Sequence, residues 1–452
     1  MNGGSVHPIE YRYGCDELRK IFSVDNFYRT MARIELLVVK AQEKYGLVPR
    51  GVSSALENAV EKFRVEEVFE EEKVVRHDIM ALINVLARYM GDLGEYIHIG
   101  LTSADLRDTA KILIMRDAIN HIESKLRDLI LSLGRKAKKF RDLPCVARTH
   151  GIHATIYTLG MKFAVLASEF LRHLERLREL RNRLFVGKIS GPVGIHGCLG
   201  EIGEKIEEEV LGELGLKVDE SATQVLLRDR FAEAFLLLAL ISSSLDKLAT
   251  EIRNLQRTEI AEIEEEFRRE QVGSTAMPHK RNPINAENIC SLARVVRGYA
   301  ITALENMVLW HERDLTNSAS ERIIIPEIFM LVDEQLSRAK RIVDRLVVNE
   351  ENIRRNINLT GGMIYSDILV TKLALKGYGR QRAHSLLRKI AMEAYRSDKD
   401  FITLVMQNEE ILGYMNRDEL EKIFQPNRHI SVAVKRVDRI LEKIEKEIGT
   451  KI

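Results

Sequence analysis

The segment GSTAMPHKRNP, residues 273–283, combines side chains suited to acid–base chemistry with residues that shape a loop. Lys280 and Asn282 supply donors that could hold an anionic group, and cations together with backbone N–H groups would favour Ser274 as an alkoxide base. A glycine and two prolines interrupt helical structure here. The same composition also suits a plain connection between two helices, in which a serine or threonine acts as a cap. The segment therefore predicts either an active-site loop or a linker.

Two further residues have the chemistry to transfer or orient a proton. His150 follows Thr149, precedes Gly151 and lies just before a predicted helix. It could act as a general acid near neutral pH, and it could equally be a surface or capping histidine. Glu287, four residues beyond the end of the loop, could orient a histidine or simply favour the positive end of a helix.

Several other polar segments lie far apart in sequence and hold more charged and hydroxyl residues than a plain helical bundle needs. They are RHD (76–78), HIGLTSAD (98–105), TQVLLRDR (223–230) and HERDLTNSASER (311–322). Arg313 and Arg322 could clamp a carboxylate or a phosphate, or they could belong to a surface salt-bridge cluster. His77 could contact a phosphate or be a solvated helix residue, and an ordinary hydrogen bond explains His98 equally well.

These segments are set in a chain whose apolar residues repeat at helical spacing. The repeat predicts four long helices, one within residues 100–140 and the others over about 154–184, 231–270 and 284–311. Thr102 or Ser103 is placed to cap the first of them, with Asp105 in its first turn. Helices of this length bury their apolar stripes against one another, so we expect an oligomer built around a shared helical bundle.

The fold class that follows is all-α, with three mostly helical domains and a long central bundle. The chain has only eight prolines in 452 residues, which suits such a fold. Shorter helices flank the long ones, so we predict an N-terminal domain over 1–100, a central bundle domain over 101–350 that carries the loop 273–283, and a C-terminal domain over 351–452.

Composition and charge argue against several classes of function. The formal net charge is +2, so the sequence has no electrostatic footprint for nucleic acid or for an anionic membrane. No apolar run approaches the roughly 18 residues of a membrane span, and residues 1–20 contain no signal core, so we expect a cytoplasmic protein. The four cysteines are scattered without a CxxC pair, which argues against structural zinc and leaves a thiol enzyme without a particular candidate.

Taken together, these segments resemble the fumarase/aspartase superfamily, whose members eliminate fumarate from a succinyl compound. Residues 273–283 are similar to the superfamily signature GSSxMPxKxNP, with Thr275 in place of its second serine. The K-R-N-P ending, together with RHD, GLTSAD, RTHGIHA, TQVLLRDR and HERD…SER, is similar to the family of adenylosuccinate lyases in particular. The resemblance extends from Arg12 to at least Arg322, and it favours the active-site loop over the linker.

The resemblance implies a fold, an assembly and a reaction. It implies three mostly helical domains in a homotetramer whose central helices form one bundle, with each active site assembled from three subunits. The implied reaction is β-elimination of fumarate from adenylosuccinate to give AMP, and from the succinyl-aminoimidazole-carboxamide ribotide in purine nucleotide biosynthesis. The implied partner is a small nucleotide substrate, and no metal or organic cofactor is needed.

The resemblance also assigns roles to residues by their positions in these motifs. Ser274 matches the general base, and His150 matches the general acid with Glu287 as its electrostatic partner. Lys280 and Asn282 match the groups that bind the succinyl carboxylate and stabilise the charge developed after proton loss. Phosphate and nucleotide contacts are implied for Arg12, Tyr13, Arg313, Ser318 and Arg322. The rest of the substrate shell is implied to be Arg76, His77, Asp78, His98, Thr102, Ser103, Thr149, Gln224, Thr275 and Asn288.

Three other interpretations are left open by the sequence. Another fumarate-releasing lyase, such as an argininosuccinate lyase, would share the loop, although Arg281 and the phosphate-type contacts favour a nucleotide substrate. An inactive structural homologue, or a helical scaffold for a partner protein, would not need intact Ser274, His150 and Glu287. For both His77 and His98, the sequence does not decide whether the residue transfers a proton or only binds the substrate. We expect the loop to close over bound substrate and to be open without it.

Overall fold

The computed structural model describes residues 6–452, and almost all of its regular structure is helical. Within this range there are 19 α-helices, three short 3₁₀ helices and six short strands that pair in twos. The prediction of an all-α fold is confirmed. No helix in the described range combines the length and the apolar character needed to cross a membrane.

The α-helices range in length from four residues to 37. In the first half of the chain they are α1 (Pro8–Tyr11), α2 (Asp16–Ile21), α3 (Val24–Lys44), α4 (Val52–Lys62), α5 (Val65–Val75), α6 (Asp78–Met90), α7 (Ser103–Lys139), α8 (Leu159–Leu184) and α9 (Glu201–Glu213). In the second half they are α10 (Asp229–Leu255), α11 (Ile284–Glu305), α12 (Ser318–Arg345), α13 (Glu350–Asn358), α14 (Ser366–Leu375), α15 (Arg380–Ala394), α16 (Phe401–Gln407), α17 (Glu409–Leu412), α18 (Arg417–Ile423) and α19 (Ser431–Ile448). The 3₁₀ helices lie at Gly91–Tyr96, Met363–Tyr365 and Pro426–Arg428.

The strands form three two-stranded sheets. Strand β1 (Pro144–Thr149) pairs antiparallel with β2 (Ile152–Thr158) as a hairpin. Strand β3 (Val186–Gly187) pairs in parallel with β4 (Lys217–Val218), and β5 (Ile263–Glu264) pairs antiparallel with β6 (Val347–Val348). The hairpin is the longest of the three, and its turn contains His150.

Helix α7 shows how the sequence builds the long elements. The residues of its predicted apolar stripe are all buried, namely Leu106, Ala110, Leu113, Ile119, Ile122, Leu126 and Leu129. The helix begins at Ser103, as predicted. At that end the side chain of Asp105 accepts a hydrogen bond from the backbone N–H of Thr102 at 2.7 Å, and its negative charge suits the positive end of the helix.

Helix α10 is shorter than the helix predicted over 231–270. It ends at Leu255 after 27 residues, or about 40 Å at roughly 1.5 Å per residue. Beyond that end, Ala261 has a left-handed backbone (φ 48°) and the chain then pairs with β6 as strand β5. The buried side chain of Glu262 forms an ion pair there with Arg148. Because these two residues are far apart in sequence, the spacing of apolar residues could not predict this contact.

Two other predicted helix ends are also wrong. Helix α8 begins at Leu159 instead of near 154, because residues 152–158 form β2, where β-branched and aromatic side chains favour a strand. Helix α11 ends at Glu305 instead of near 311. Immediately after that end, the buried Asn306 accepts a hydrogen bond from Ser320 at 2.7 Å, which holds the chain in a turn.

The described chain forms two compact units, each assembled from three separate stretches. Unit 1 contains residues 6–125, 173–243 and 292–335 of the described chain. Unit 2 contains residues 126–172, 244–291 and 336–452. Each unit has its own apolar interior. The polar segments identified in the sequence are divided between the two units.

Candidate active site

His150 lies in unit 2, at the tip of the β1–β2 hairpin. It does not precede a helix as predicted, but forms the two-residue turn of the hairpin with Gly151. Both residues have left-handed backbones (φ 54° and 78°), as a type I′ turn requires. The imidazole at this tip is exposed to solvent, where it can meet a ligand.

A buried ion pair holds the hairpin in place. Arg148 donates two hydrogen bonds to the carboxylate of Glu262, at 2.6 and 3.3 Å, and Glu262 is fully buried. Asn356 donates a further bond to the same carboxylate at 2.9 Å. Because a buried bidentate pair has little freedom, the exposed imidazole of His150 is carried on a rigid support.

The loop 273–283, also in unit 2, is folded back on itself. A Cβ atom at Gly273 would lie 2.0 Å from the carbonyl oxygen of Lys280, so this close approach of two backbone segments requires glycine. The side chain of Asn282 donates to the carbonyl of Gly273 at 3.1 Å and closes the loop. Residues 275–281 are exposed at its outer edge.

The hydroxyl of Ser274 is hydrogen-bonded to the backbone of this loop. Its oxygen accepts hydrogen bonds from the backbone N–H groups of Ala276 and Met277, at 3.3 and 3.1 Å. Donors that point at an oxygen favour its ionised form. This is also the hydrogen-bond pattern of a local serine turn, so it fixes the hydroxyl in place and does not by itself assign a role to it.

The loop leads into α11 at a well-defined point. The carboxylate of Glu265 accepts bonds from the backbone N–H groups of Asn285 and Ala286, at 3.3 and 2.7 Å, and so caps the helix. Glu287 follows within the first turn and is exposed. In the described part of the chain, neither a hydrogen bond nor an ion pair joins Glu287 to His150. The side-chain oxygen of Asn288 is buried without a hydrogen-bond partner among the described residues.

In unit 1 the structure brings together the starts of α6 and α12. His77 caps α6 by accepting a bond from the backbone N–H of Met80 at 3.2 Å, and Arg76 before it has a left-handed backbone (φ 56°). Asp78 then accepts a bond from Arg107 at 2.6 Å and lies 3.8 Å from Arg322 of α12. The RHD and SER motifs, distant in sequence, thus meet at one carboxylate.

A buried ionic network lies behind this meeting point, and we call it the Arg228 network; it comprises Asp108, Lys111, Arg228 and Glu321. Arg228 donates two bonds to Asp108, at 2.6 and 3.0 Å, and two to Glu321, at 2.7 and 3.3 Å. Lys111 also donates a bond to Glu321. Burial alone would raise the pKa of the Asp108 and Glu321 carboxyls, but Arg228 and Lys111 hold both pKa values below their ordinary range.

Arg313 lies close to this network without a carboxylate of its own. Burial lowers its pKa, and the nearby Arg228 and Arg107 lower it further against the attraction of Asp108. Its Nη1 atom is buried and has no hydrogen-bond partner among the described residues. A half-buried guanidinium with an unused donor is suited to bind an anion.

His98 is held by a buried carboxylate. Glu35, which has no exposed surface, accepts a bond from the backbone N–H of His98 at 2.6 Å and contacts its Nδ1 atom at 2.9 Å. Burial would lower the pKa of His98, but Glu35 raises it above its ordinary value. Nearby, Asp105 forms a fully buried ion pair with Lys188, and this pair fastens the loop that begins at Ser190 to the start of α7.

The remaining predicted binding residues are exposed or half-buried. Arg12 is exposed at the end of α1, and the backbone carbonyl of Tyr13 accepts a bond from Arg19 at 2.8 Å. The others at such positions are Thr102, Ser103, Thr149, Gln224, Thr275 and Ser318. They are accessible to a ligand as the prediction requires.

The sequence reasoning missed the partners that position these residues. They are Glu35, Arg107, Asp108, Lys111, Arg228 and Glu321. One signal was present, since Glu35 is a single carboxylate inside the apolar run that fills α3, where an acid needs a partner. The charged residues of α7 resembled an ordinary solvated face, so their burial could not be predicted.

Comparison with known proteins defines the class of this chain first. Residues 10–298 match the family model described as "Lyase", and residues 362–440 match the model described as "Adenylosuccinate lyase C-terminus". Two similar solved structures are a fumarate lyase from Mesorhizobium sp. BNC1 (TM-score 0.87, 29% identity, covering 95% of this chain and 98% of that one) and a 3-carboxy-cis,cis-muconate lactonizing enzyme from Pseudomonas putida (TM-score 0.87, 30% identity, covering 97% and 99%). The fold is that of the lyases of the fumarase/aspartase superfamily.

Curated relatives then define the family. The adenylosuccinate lyase of Pyrococcus abyssi is 43% identical over 443 residues, which cover 98% of each chain. That of Methanothermobacter thermautotrophicus is 44% identical over 446 residues, covering 98% of this chain and 99% of the relative. That of Aquifex aeolicus is 40% identical over 435 residues, covering 96% and 98%. The chain belongs to the adenylosuccinate lyase family, whose members are carbon–nitrogen lyases.

Proposed function

We propose that this chain catalyses the β-elimination of fumarate from adenylosuccinate to give AMP, and the matching elimination from the succinyl-aminoimidazole-carboxamide ribotide in purine nucleotide biosynthesis. The observation that carries the proposal is family membership over nearly the whole chain, with adenylosuccinate lyases 43% and 44% identical to it. The loop 273–283 is consistent with it, because two backbone N–H groups point at the hydroxyl oxygen of Ser274.

Ser274 is the proposed general base, which removes the proton from the β-carbon of the succinyl group. That proton is weakly acidic, so donors must stabilise the doubly charged carboxylate that forms when it leaves. Lys280 supplies an exposed ammonium group at the edge of the loop. One amide N–H of Asn282 donates to the carbonyl of Gly273 and closes the loop. The second amide N–H is available to donate to the substrate carboxylate. We propose that the loop closes over the substrate and excludes water while this happens.

His150 is the proposed general acid, which protonates the purine nitrogen as the carbon–nitrogen bond breaks. Its exposure leaves the imidazole free to reach a ligand, and the Arg148–Glu262 pair keeps the hairpin from moving. Glu287 is proposed to stabilise the protonated imidazole from another copy of the chain. That assignment is consistent with the lack of any bond between Glu287 and His150 within residues 6–452.

The nucleotide is proposed to bind through the segments of unit 1. Arg313, with its unused donor, and Arg322 are suited to phosphate, with Ser318, Arg12 and Tyr13 as further contacts. The remaining substrate shell is proposed to be Arg76, His77, Asp78, His98, Thr102, Ser103 and Gln224 in unit 1, and Thr149, Thr275 and Asn288 in unit 2.

A cavity of about 400 Å³ in unit 1 supports a nucleotide ligand. Its wall combines the aromatic rings of Phe22, Phe27 and Phe69 with the charged side chains of Asp78 and Arg322. A wall with apolar faces and a few charged groups is typical of sites for small organic ligands, and the volume lies in their range of roughly 300–1,000 Å³.

We further propose that the chain forms a homotetramer with active sites shared between subunits. Large apolar side chains are exposed on two long helices, namely Leu236 and Leu240 on α10 and Val295, Ile301 and Leu304 on α11. Contiguous exposed apolar patches mark interaction surfaces, and these side chains are the proposed contributors to one. A cytoplasmic location and the three domains 1–100, 101–350 and 351–452 belong to the same proposal, and the C-terminal family match at 362–440 fits within the third domain.

The test compares the wild-type chain with Ser274→Ala in an absorbance assay on adenylosuccinate. We expect conversion to AMP by the wild type and a loss of several orders of magnitude in kcat for the variant, while substrate still binds. The control is Ser397→Ala, because Ser397 is an exposed serine outside the site whose hydroxyl also accepts a backbone N–H bond. Equal turnover in both variants would place the base elsewhere, and cleavage of argininosuccinate in place of adenylosuccinate would show a different substrate.

A further inference from the structure

Three potential metal ligands from separate elements converge in unit 1, away from the residues assigned to the reaction. They are Cys15, which precedes α2, His121 of α7 and Asp333 of α12. The Sγ atom of Cys15 lies 3.5 Å from Nε2 of His121, and Oδ1 of Asp333 lies 2.8 Å from the same nitrogen. The three ligand atoms all lie within 4.8 Å of one another. One thiol, one imidazole and one carboxylate thus point at a common centre.

The imidazole of His121 lies between two carboxylates. Its Nδ1 atom lies 3.1 Å from the carboxylate of Glu17, and its Nε2 atom lies 2.8 Å from Oδ1 of Asp333. The thiol of Cys15 interacts with the same Asp333 carboxylate. Nitrogen, oxygen and sulfur are the ligand atoms that zinc takes from His, Asp and Cys side chains.

The separation of the sulfur and nitrogen atoms fits tetrahedral zinc. With bonds of about 2.3 Å to sulfur and 2.0–2.1 Å to nitrogen, tetrahedral geometry places the two ligand atoms about 3.5 Å apart. The observed separation of Cys15 Sγ and His121 Nε2 is 3.5 Å. Asp333 Oδ1 would have to withdraw from Nε2 by only about 0.5 Å, which a small side-chain rotation provides. Glu17 is placed as the outer carboxylate that commonly orients a zinc-bound histidine.

The supports of the site are rigid. The side chains of His121 and Asp333 are 6% and 2% exposed. A Cβ atom at Gly14 would lie 2.5 Å from the sulfur of Met330, so the segment before Cys15 is packed closely on α12. The ligands are therefore already in place, and binding would require little reorganisation.

We propose that Cys15, His121 and Asp333 bind a divalent cation of the zinc type, with Glu17 orienting the histidine and water completing the coordination. The cation would fasten the segment that carries Arg12 and Tyr13 to α7 and α12. It would act as a structural clamp on two proposed phosphate contacts and would take no part in the elimination itself.

The test titrates the full-length, metal-free protein with Co²⁺, because cobalt bound to a thiolate gives a charge-transfer absorption that reports the sulfur ligand. We expect one Co²⁺ per chain, with this absorption abolished in Cys15→Ser and unchanged in Cys198→Ser, whose cysteine is exposed elsewhere. Zn²⁺ should displace the cobalt and remove the signal. Absence of the absorption in the wild type, or its persistence in Cys15→Ser, would overturn the proposal.

A second variant guards against a folding defect in Cys15→Ser. Glu17 is largely exposed, so Glu17→Gln should fold normally and still give the cobalt spectrum. Because it loses the outer carboxylate, its affinity for Co²⁺ should fall by about 10- to 100-fold. Unchanged affinity in this variant would contradict the proposed geometry. The midpoint of thermal unfolding should also rise with added Zn²⁺ in the wild type, and an equal rise in a folded Cys15→Ser variant would contradict the site.

Discussion

The two units hold their functional residues in different ways. In unit 2 the side chains proposed for chemistry, His150, Lys280 and Glu287, are exposed on a hairpin tip, a loop edge and a helix start. In unit 1 the residues proposed to bind the nucleotide adjoin buried ion pairs, above all the Arg228 network. The difference indicates that the binding frame is largely preformed within one chain. The reacting groups, by contrast, are exposed, and we propose that substrate and a second copy of the chain complete their contacts.

The largest expected effect is on catalysis by His150. If this exposed residue acts only in the reaction, His150→Ala should lower kcat by about 10²- to 10⁴-fold and leave the thermal midpoint unchanged. His384→Ala is the control, since His384 is an exposed histidine on α15. Steady-state kinetics and thermal unfolding measure the two quantities. A variant with normal kcat would remove His150 from the mechanism, and a fall in stability would show that its role is structural.

For the Arg228 network the expected effect is on stability. Arg228→Met leaves the buried Asp108 and Glu321 with Lys111 as their ion-pair partner among the described residues, so the free energy of unfolding should fall by about 3–5 kcal/mol. Urea denaturation measures this loss. Arg354→Met removes an exposed ion pair with Glu350 and should change stability by less than about 1 kcal/mol. Equal effects in the two variants would contradict the view that unit 1 depends on buried charge.

An intermediate effect is expected where loop geometry positions a catalytic group. In Gly273→Ala the new Cβ would meet the carbonyl of Lys280 at 2.0 Å, so the loop must open and displace Ser274. We expect kcat to fall by about 10²-fold, because a displacement of roughly 1 Å at a reacting group has that effect. Gly212→Ala in α9 meets nothing within 4 Å and should be silent. Normal kcat in Gly273→Ala would mean that the loop conformation does not position the base.

The smallest effect concerns the pH dependence of stability at His98. Glu35 raises the folded-state pKa of His98 above its ordinary value of 6.5. The stabilisation is therefore fully present below pH 6.5, and it is lost as the pH rises through the folded-state value. Urea midpoints measured from pH 5.5 to 9 should show this decline in the wild type. Glu35→Gln should flatten the decline, whereas an unchanged slope would show that the pair does not contribute.

The sequence was most informative where structure is local. The apolar repeat of α7 predicted its start and its buried stripe, because helical spacing requires only neighbours within a few turns. The helix over 231–270 was predicted too long, since strand pairing of β5 with β6 and the buried Glu262 depend on residues far away in sequence. The strand nature of residues 152–158 was missed because seven residues of mixed polarity carry little signal.

The same distinction applies to the site. Ser274, Asn282 and their neighbours could be identified from one contiguous motif, and the structure adds the hydrogen bonds that shape it. The carboxylates that position His98 and Arg228 could not be identified from the sequence, because burial of a charge depends on the completed fold. In this chain, functional residues that lie in one contiguous motif can therefore be identified from the sequence. The buried charges that position them cannot.

The interleaving of the two units has a consequence for synthesis of the protein. Unit 1 needs residues up to 335, and unit 2 needs residues up to 452, so neither interior can be completed while most of the chain is still being translated. Helix α3, for example, emerges from the ribosome long before the segments that complete unit 1. Its apolar face must be shielded during that interval. A gene fragment that stops before residue 335 will leave both interiors unfinished, and one that stops between 335 and 452 will leave that of unit 2 unfinished.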